Sequence, residues 1–148
     1  MYLMNKYIKW GIGSIIVTLF ILIVVIVVRN RLIYQQDERA LWDGFKVEKM
    51  EIEGDEYHLI LAENQDQWSK GLMYIHRPFD YDGMVFKFEE ASSRRFWNEN
   101  TYEDLKLYWI LDDEVIGKSD LPSIEKSGEI VTVGSPGPVD TVVEIIKK

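Results

Sequence analysis

The chain has 148 residues, 25 of them acidic and 17 basic, a net charge of −8 and no cysteine. That length holds one domain with an appendage. The acidic balance argues against nucleic acid and anionic lipid headgroups as partners, and without Cys there is neither a disulfide nor a thiolate metal site.

The appendage comes first. Gly11 to Val28 carries no charged residue and is almost wholly aliphatic. At about 1.5 Å per residue an eighteen-residue helix reaches roughly 27 Å, enough to cross the hydrocarbon core of a bilayer. Val28-Arg29-Asn30-Arg31 follows instead of a small-x-small cleavage site, so residues 1–28 are expected to be a short cytoplasmic stub and an uncleaved single-pass anchor, with the bilayer as partner of residues 11–28. Lys6 and Lys9 nearly balance Arg29 and Arg31 across the span. Removing Lys6 and Lys9 from the 17 basic residues leaves 15 against 25 acids, a net −10 for everything after the span.

Residues 29–44 read as a charged helical or flexible stalk that Gly44 ends. From Phe45 the period changes to two. Val47 to Ile52, a turn at Glu53-Gly54-Asp55-Glu56 and Tyr57 to Ala62 form a hairpin signal. Asn64 is a candidate N-cap for a short helix, Gln65 to Lys70, which Gly71 closes. Apolar runs follow at residues 84–88, 105–111, 115–116, 130–133 and 141–146, punctuated by Asp112-Asp113 and Gly134-Ser135-Pro136-Gly137-Pro138. No βαβ rhythm is visible. Residues 45–148 are therefore expected to be mainly β, a small antiparallel barrel or sandwich with one short helix, preceded by a single transmembrane helix.

Chemistry-bearing patterns are sparse. His58 and His76 have no ligating neighbour at i+2 or i+4, so no metal and no cofactor is expected. Asp80-x-Asp82-Gly83 lacks the spacing of a calcium loop and reads as a turn. Ser123-x-x-Lys126 has the form of a serine–lysine pair but lies in a Pro- and Ser-containing loop without companion motifs. Phe96, Trp97, Tyr102, Tyr108 and Trp109 are interleaved with Asn98, Asn100 and Thr101. Rings that stack and amides that orient suit a sugar or peptide groove, and the same set suits a core closed by Trp and Phe.

Four blocks in order, Ala62 to Met73 ending in Gly71-Leu72-Met73, Gly83-Met84-Val85-Phe86-Lys87-Phe88, Phe96-Trp97-Asn98-Glu99-Asn100-Thr101 and Val142-Val143-Glu144-Ile145, resemble the family called domain of unknown function 192, a set of small exported β proteins. The resemblance runs from about Phe45 to Ile146. It implies a β fold and no reaction, so no catalytic residue is carried over. Three positions depart from the family's pattern: Ile75 stands where Arg is usual, Lys106 where Asp is usual, and Asn98 where Met is usual. Arg77 is a candidate replacement for the missing Arg. Relatives usually continue past the equivalent of Lys148, so one edge of the barrel is expected to be open and blunted by terminal lysines.

The family's motif residues Gly71, Leu72, Met73, Gly83, Met84 and Phe96 suit fold maintenance, while Trp97, Asn100, Thr101 and Glu144 are the candidates to line a cleft. The expected function is a membrane-anchored, extracytoplasmic binding or interaction module of the cell envelope, with a glycan, peptide or protein partner and no nucleic acid. The alternative is a carboxylate-dependent envelope hydrolase, which requires two acids facing one pocket.

Overall fold

The computed structural model describes residues 16–32, 42, 44–77 and 79–147. The chain forms two units, Met1–Asp43 and Gly44–Lys148. In the first, residues 16–32 are helical, and every large apolar side chain from Ile16 to Val28 is exposed. Among the described residues no helix is long and apolar enough to cross a membrane. The expected span begins at Gly11, and its first five residues lie outside the described set, as do most of the stalk residues.

The second unit contains β1 (Val47–Ile52), β2 (Asp55–Ala62), α1 (Gln65–Lys70), β3 (Gly83–Trp97), β4 (Leu105–Leu111), β5 (Glu114–Leu121), α2 (Ile124–Ser127) and β6 (Thr132–Ile146). The strands make one mixed sheet in the order β1-β2-β3-β6-β4-β5. Two tight hairpins follow the sequence signals. Glu53-Gly54 joins β1 to β2 with φ of 56° and 93°, and Asp112-Asp113 joins β4 to β5 with φ of 50° and 64°. Positive φ at both central residues matches the twist of the strands, and Gly, Asn and Asp tolerate it best.

The sheet is not the antiparallel barrel or sandwich expected. β2 and β3 are parallel, paired from Leu59 with Gly83 to Ala62 with Phe86. A parallel pair needs a crossover connection, supplied here by α1 and residues 71–82. Strand, helix and strand are each visible in the sequence, but the periodicity of one strand does not say which strand it pairs with, so the parallel pairing is not. A second helical turn, α2, is held between the Ser123 cap and Gly128, whose φ is 70°.

The ladder does not close, in line with the open edge expected from the sequence, and β1 and β5 are its edges. The sheet nevertheless curls, because Met50 of β1 and Val115 of β5 pack on the same cluster of Ile52, Leu59, Leu61, Val85, Tyr108, Ile110 and Val143. Lys118 of β5 reaches Glu53 in the β1–β2 turn at 2.6 Å, so the edges are bridged by side chains rather than backbone.

The final strand is not an edge as expected but sits between β3 and β4. Arg77 donates to the carbonyls of Ile146 and Lys147 at 3.2 and 2.7 Å and ties off its end. Ile75, at the family's Arg position, is buried in the core (1 % exposed). Gly134 to Pro138 is not a turn either: it lies inside β6, opposite the irregular half of β3. Pro is tolerated there because β4 pairs only with Thr141–Ile146, leaving that half of β6 without a second neighbour in the ladder. The Ser135 hydroxyl accepts from the Arg94 amide at 3.0 Å and replaces ladder bonds at the irregularity.

Gly83 is required by space. A Cβ there would lie 1.8 Å from the Glu144 carbonyl oxygen, whereas one at Gly137 would meet nothing within 4 Å. Gly83→Ala should lower unfolding free energy by about 3 kcal/mol or more, and Gly137→Ala should change it by less than about 0.5 kcal/mol. Urea titration of the two variants checks the contrast.

Candidate functional site

The second face of the sheet carries the cavity, and α1 builds its first wall. Asn64 caps the helix by accepting from the Gln67 amide at 3.0 Å, and the Gln67 side chain accepts from the Glu63 amide at 2.7 Å. This near-reciprocal arrangement satisfies donors that the first turn cannot. Trp68 donates its indole N–H to the Ala62 carbonyl at 3.1 Å and packs its ring 4.9 Å from Phe88. Gly71 then ends the helix with φ of 49°, as its sequence position predicts, and buries Leu72.

The second wall comes from β3 and the turn after it. Phe96 stands edge-on to Phe86 at 4.9 Å and to the buried Trp109 at 5.7 Å. Asn98, fully buried, anchors the turn: its amide donates to the Pro122 carbonyl and the Ser127 hydroxyl at 2.9 and 2.8 Å, and its oxygen accepts from the Val131 amide at 2.7 Å. A Met at this position could make none of these bonds, so the departure from the family's pattern is a satisfied one. Asn100 takes φ of 52°, and its carbonyl accepts from the Tyr74 amide at 2.8 Å, joining the two turns behind the cavity.

Glu144 lies in the midst of this face. It sits on the interior strand β6, opposite Met84 of β3 on one side and Leu107 of β4 on the other, both fully buried. Its side chain is 3 % exposed, and among the described residues no hydrogen bond or ion pair reaches the carboxyl. Burial pushes that carboxyl up to about 8, so it is mostly protonated at neutral pH.

These elements enclose a cavity of about 200 Å³ lined by residues that include Trp68, Phe88, Trp97, Thr101 and Glu144. Lys70, Arg94 and Arg95 also contribute to its lining. The Arg94 guanidinium lies 3.8 Å from the Phe88 ring centre, and its Nε is buried without a hydrogen-bond partner. Lys70 is held below the usual lysine range by its partial burial.

Of the cleft candidates, Trp97, Thr101 and Glu144 meet in this cavity, while Asn100 shapes the turn beside it. The aromatic set divides. Tyr108 packs on the opposite face, Tyr102 stacks on His76 at 4.4 Å, and Trp109 is core. Lys126 ion-pairs with Asp104 rather than serving Ser123, whose hydroxyl accepts from the Lys126 amide at 3.3 Å. Sequence reasoning missed Trp68, Lys70, Arg94 and Arg95. The first two fall within the short helix Gln65 to Lys70, and the arginines lie outside every assigned run, with only their adjacency to Phe96-Trp97 as a signal.

The raised carboxyl fixes a sign. Unfolded Glu144 ionises near its ordinary 4.5, whereas the folded group holds its proton to about 8. Between these values the unfolded state binds fewer protons at this group, so its contribution to stability is fully present below about 4.5 and falls as pH rises through that window, by at most about 1.4 kcal/mol per pH unit. Glu144→Gln should flatten this slope and give a higher melting temperature than the parent at pH 8, read by thermal denaturation from pH 5 to 9.

Comparison with known proteins locates the fold. No curated protein matches the chain. A solved structure from Sinorhizobium meliloti, described as a "putative transcription regulator", is 27% identical, with 69% of this chain and 79% of that one covered and a TM-score of 0.53. A protein of unknown function from Novosphingobium aromaticivorans is 19% identical over 71% of this chain and 84% of its own, with a TM-score of 0.52. Residues 48–148 match the family DUF192, described as "Uncharacterized ACR", and the chain belongs to that family.

Proposed function

We propose that this chain is a membrane-tethered binding module of the cell envelope, its β domain outside the membrane and its cavity the ligand site. One observation carries the binding role: a buried carboxyl without a partner faces a cavity walled by aromatic rings. An unmet polar group in an apolar site costs free energy that a complementary ligand relieves. The exposed aliphatic side chains of residues 16–28 support the tether, since a helix apolar on every face is unsuited to water. The net −10 after the span disfavours a nucleic-acid role, including any borrowed from the description of the S. meliloti protein.

The carboxylate-dependent hydrolase lacks support from the cavity. Among the described residues that line it, Glu144 is the one acid, so the second carboxylate is missing. A volume of about 200 Å³ also falls below the roughly 300–1,000 Å³ of sites for drug-sized ligands. Among glycan, peptide and protein partners, this favours a single residue or a chain end over an extended groove.

The full chain in detergent, screened by thermal shift against amino acids, short peptides and cell-wall saccharides, should gain several degrees with one of these classes. Trp97→Ala should remove that gain without lowering the unliganded melting temperature, because the ring is 45% exposed. A flat response to all three classes would count against a ligand site. Separately, reporters fused after Lys148 should be active only outside the membrane.

A further inference from the structure

We propose that the cavity takes a small zwitterion of the α-amino-acid type, its ammonium group on Glu144, its apolar side chain among the aromatic rings and its carboxylate on Arg94 and Arg95. The inference rests on the reading of the cavity as a ligand site and names what that site accepts.

Two polar groups of the cavity lack partners, and they have opposite character. The Glu144 carboxyl is enclosed by apolar neighbours and meets no ion pair among the described residues. No ion pair joins it to Lys70, Arg94 or Arg95 of the same lining, so its oxygens stand beyond ion-pair distance of their charged groups. Arg94 donates one Nη to the Glu90 carbonyl at 2.9 Å and places its guanidinium carbon 3.8 Å from the Phe88 ring centre, while its buried Nε has no hydrogen-bond partner. The cavity therefore offers an acid and, apart from it, cations.

A simple organic anion would satisfy the arginines and leave the acid unmet. A simple amine would reverse the deficit and face three positive side chains. A molecule carrying both charges, with a short apolar body between or beside them, meets both ends together. The surrounding rings favour the ammonium end further, since the negative face of an aromatic ring attracts a cation. When the ammonium docks, the carboxyl releases its proton to solvent and the two groups form an ion pair, while the ligand carboxylate accepts from the guanidinium groups. The volume of about 200 Å³ suits a ligand of this size.

The test compares three probes of one shape by calorimetry on the full chain in detergent: L-leucine, 4-methylpentanoate without the amine, and 3-methylbutylamine without the carboxylate. L-leucine should bind, and each truncated probe should bind at least about tenfold more weakly. Glu144→Gln should weaken L-leucine by about tenfold or more and leave 4-methylpentanoate within about twofold. Arg94→Gln should weaken L-leucine and leave the amine unchanged. Circular dichroism confirms that both variants are folded.

If 4-methylpentanoate binds as tightly as L-leucine, and Trp97→Ala removes it, the site is an anion site and the zwitterion is wrong although the ligand-site reading stands. Unchanged L-leucine affinity in Glu144→Gln overturns the proposal, as does absence of L-leucine binding at millimolar concentration. The ligand-site reading is then judged by the broader thermal-shift screen.

Discussion

The Glu144 carbonyl oxygen lies where a side chain at position 83 would have to be. This close approach of β6 to the start of β3 is the constraint on which the site depends. It requires glycine at position 83 and seats β6 between β3 and β4, with Met84 and Leu107 as the cross-strand neighbours of Glu144. A carboxyl in that position cannot keep its hydration shell. Its raised proton affinity follows from the strand order rather than from any special partner.

Around that carboxyl the walls come from separate parts of the chain, each fixed by local chemistry. The capped helix α1 presents Trp68, and the Gly71 turn brings in Leu72 and Met73. β3 presents Phe86, Phe88 and Phe96, braced by Trp109 from below. Asn98 holds the turn after β3 through bonds to backbone groups of Pro122, Glu129 and Val131, and Thr101 of that turn lines the cavity. The irregular pairing of β3 with the Pro-containing half of β6 allows Arg94 and Arg95, adjacent in sequence, both to line the cavity. In a regular strand neighbours point to opposite faces.

The charge distribution sets the cavity apart from the rest of the molecule. Residues 29–148 carry a net −10, yet the cavity lining holds three cations and a single buried acid among the described residues. An anionic group approaching this protein is repelled by most of its surface and attracted at this opening. In the proposed site, the acid inside selects for what accompanies that anionic group.

The sequence by itself determined the local pieces. Asn64 and Gly71 bounded α1, Glu53-Gly54 placed one hairpin, Asp112-Asp113 marked the break where a second formed, alternation placed β1 and β2, and four motif blocks pointed to the family. These features depend on backbone geometry over a few residues, and a few residues carry them. Tertiary structure alone decided the parallel β2–β3 pair, the interior position of β6 and the continuity of β6 through Gly134–Pro138. Each depends on which distant strand supplies hydrogen bonds, and the periodicity of one strand is silent about its partner. The site divides in the same way. Trp97, Thr101 and Glu144 were legible as an aromatic, a hydroxyl and an acid within motif blocks. Trp68, Lys70, Arg94 and Arg95 were not, because nothing local distinguishes a solvated cation from one folded against a cavity.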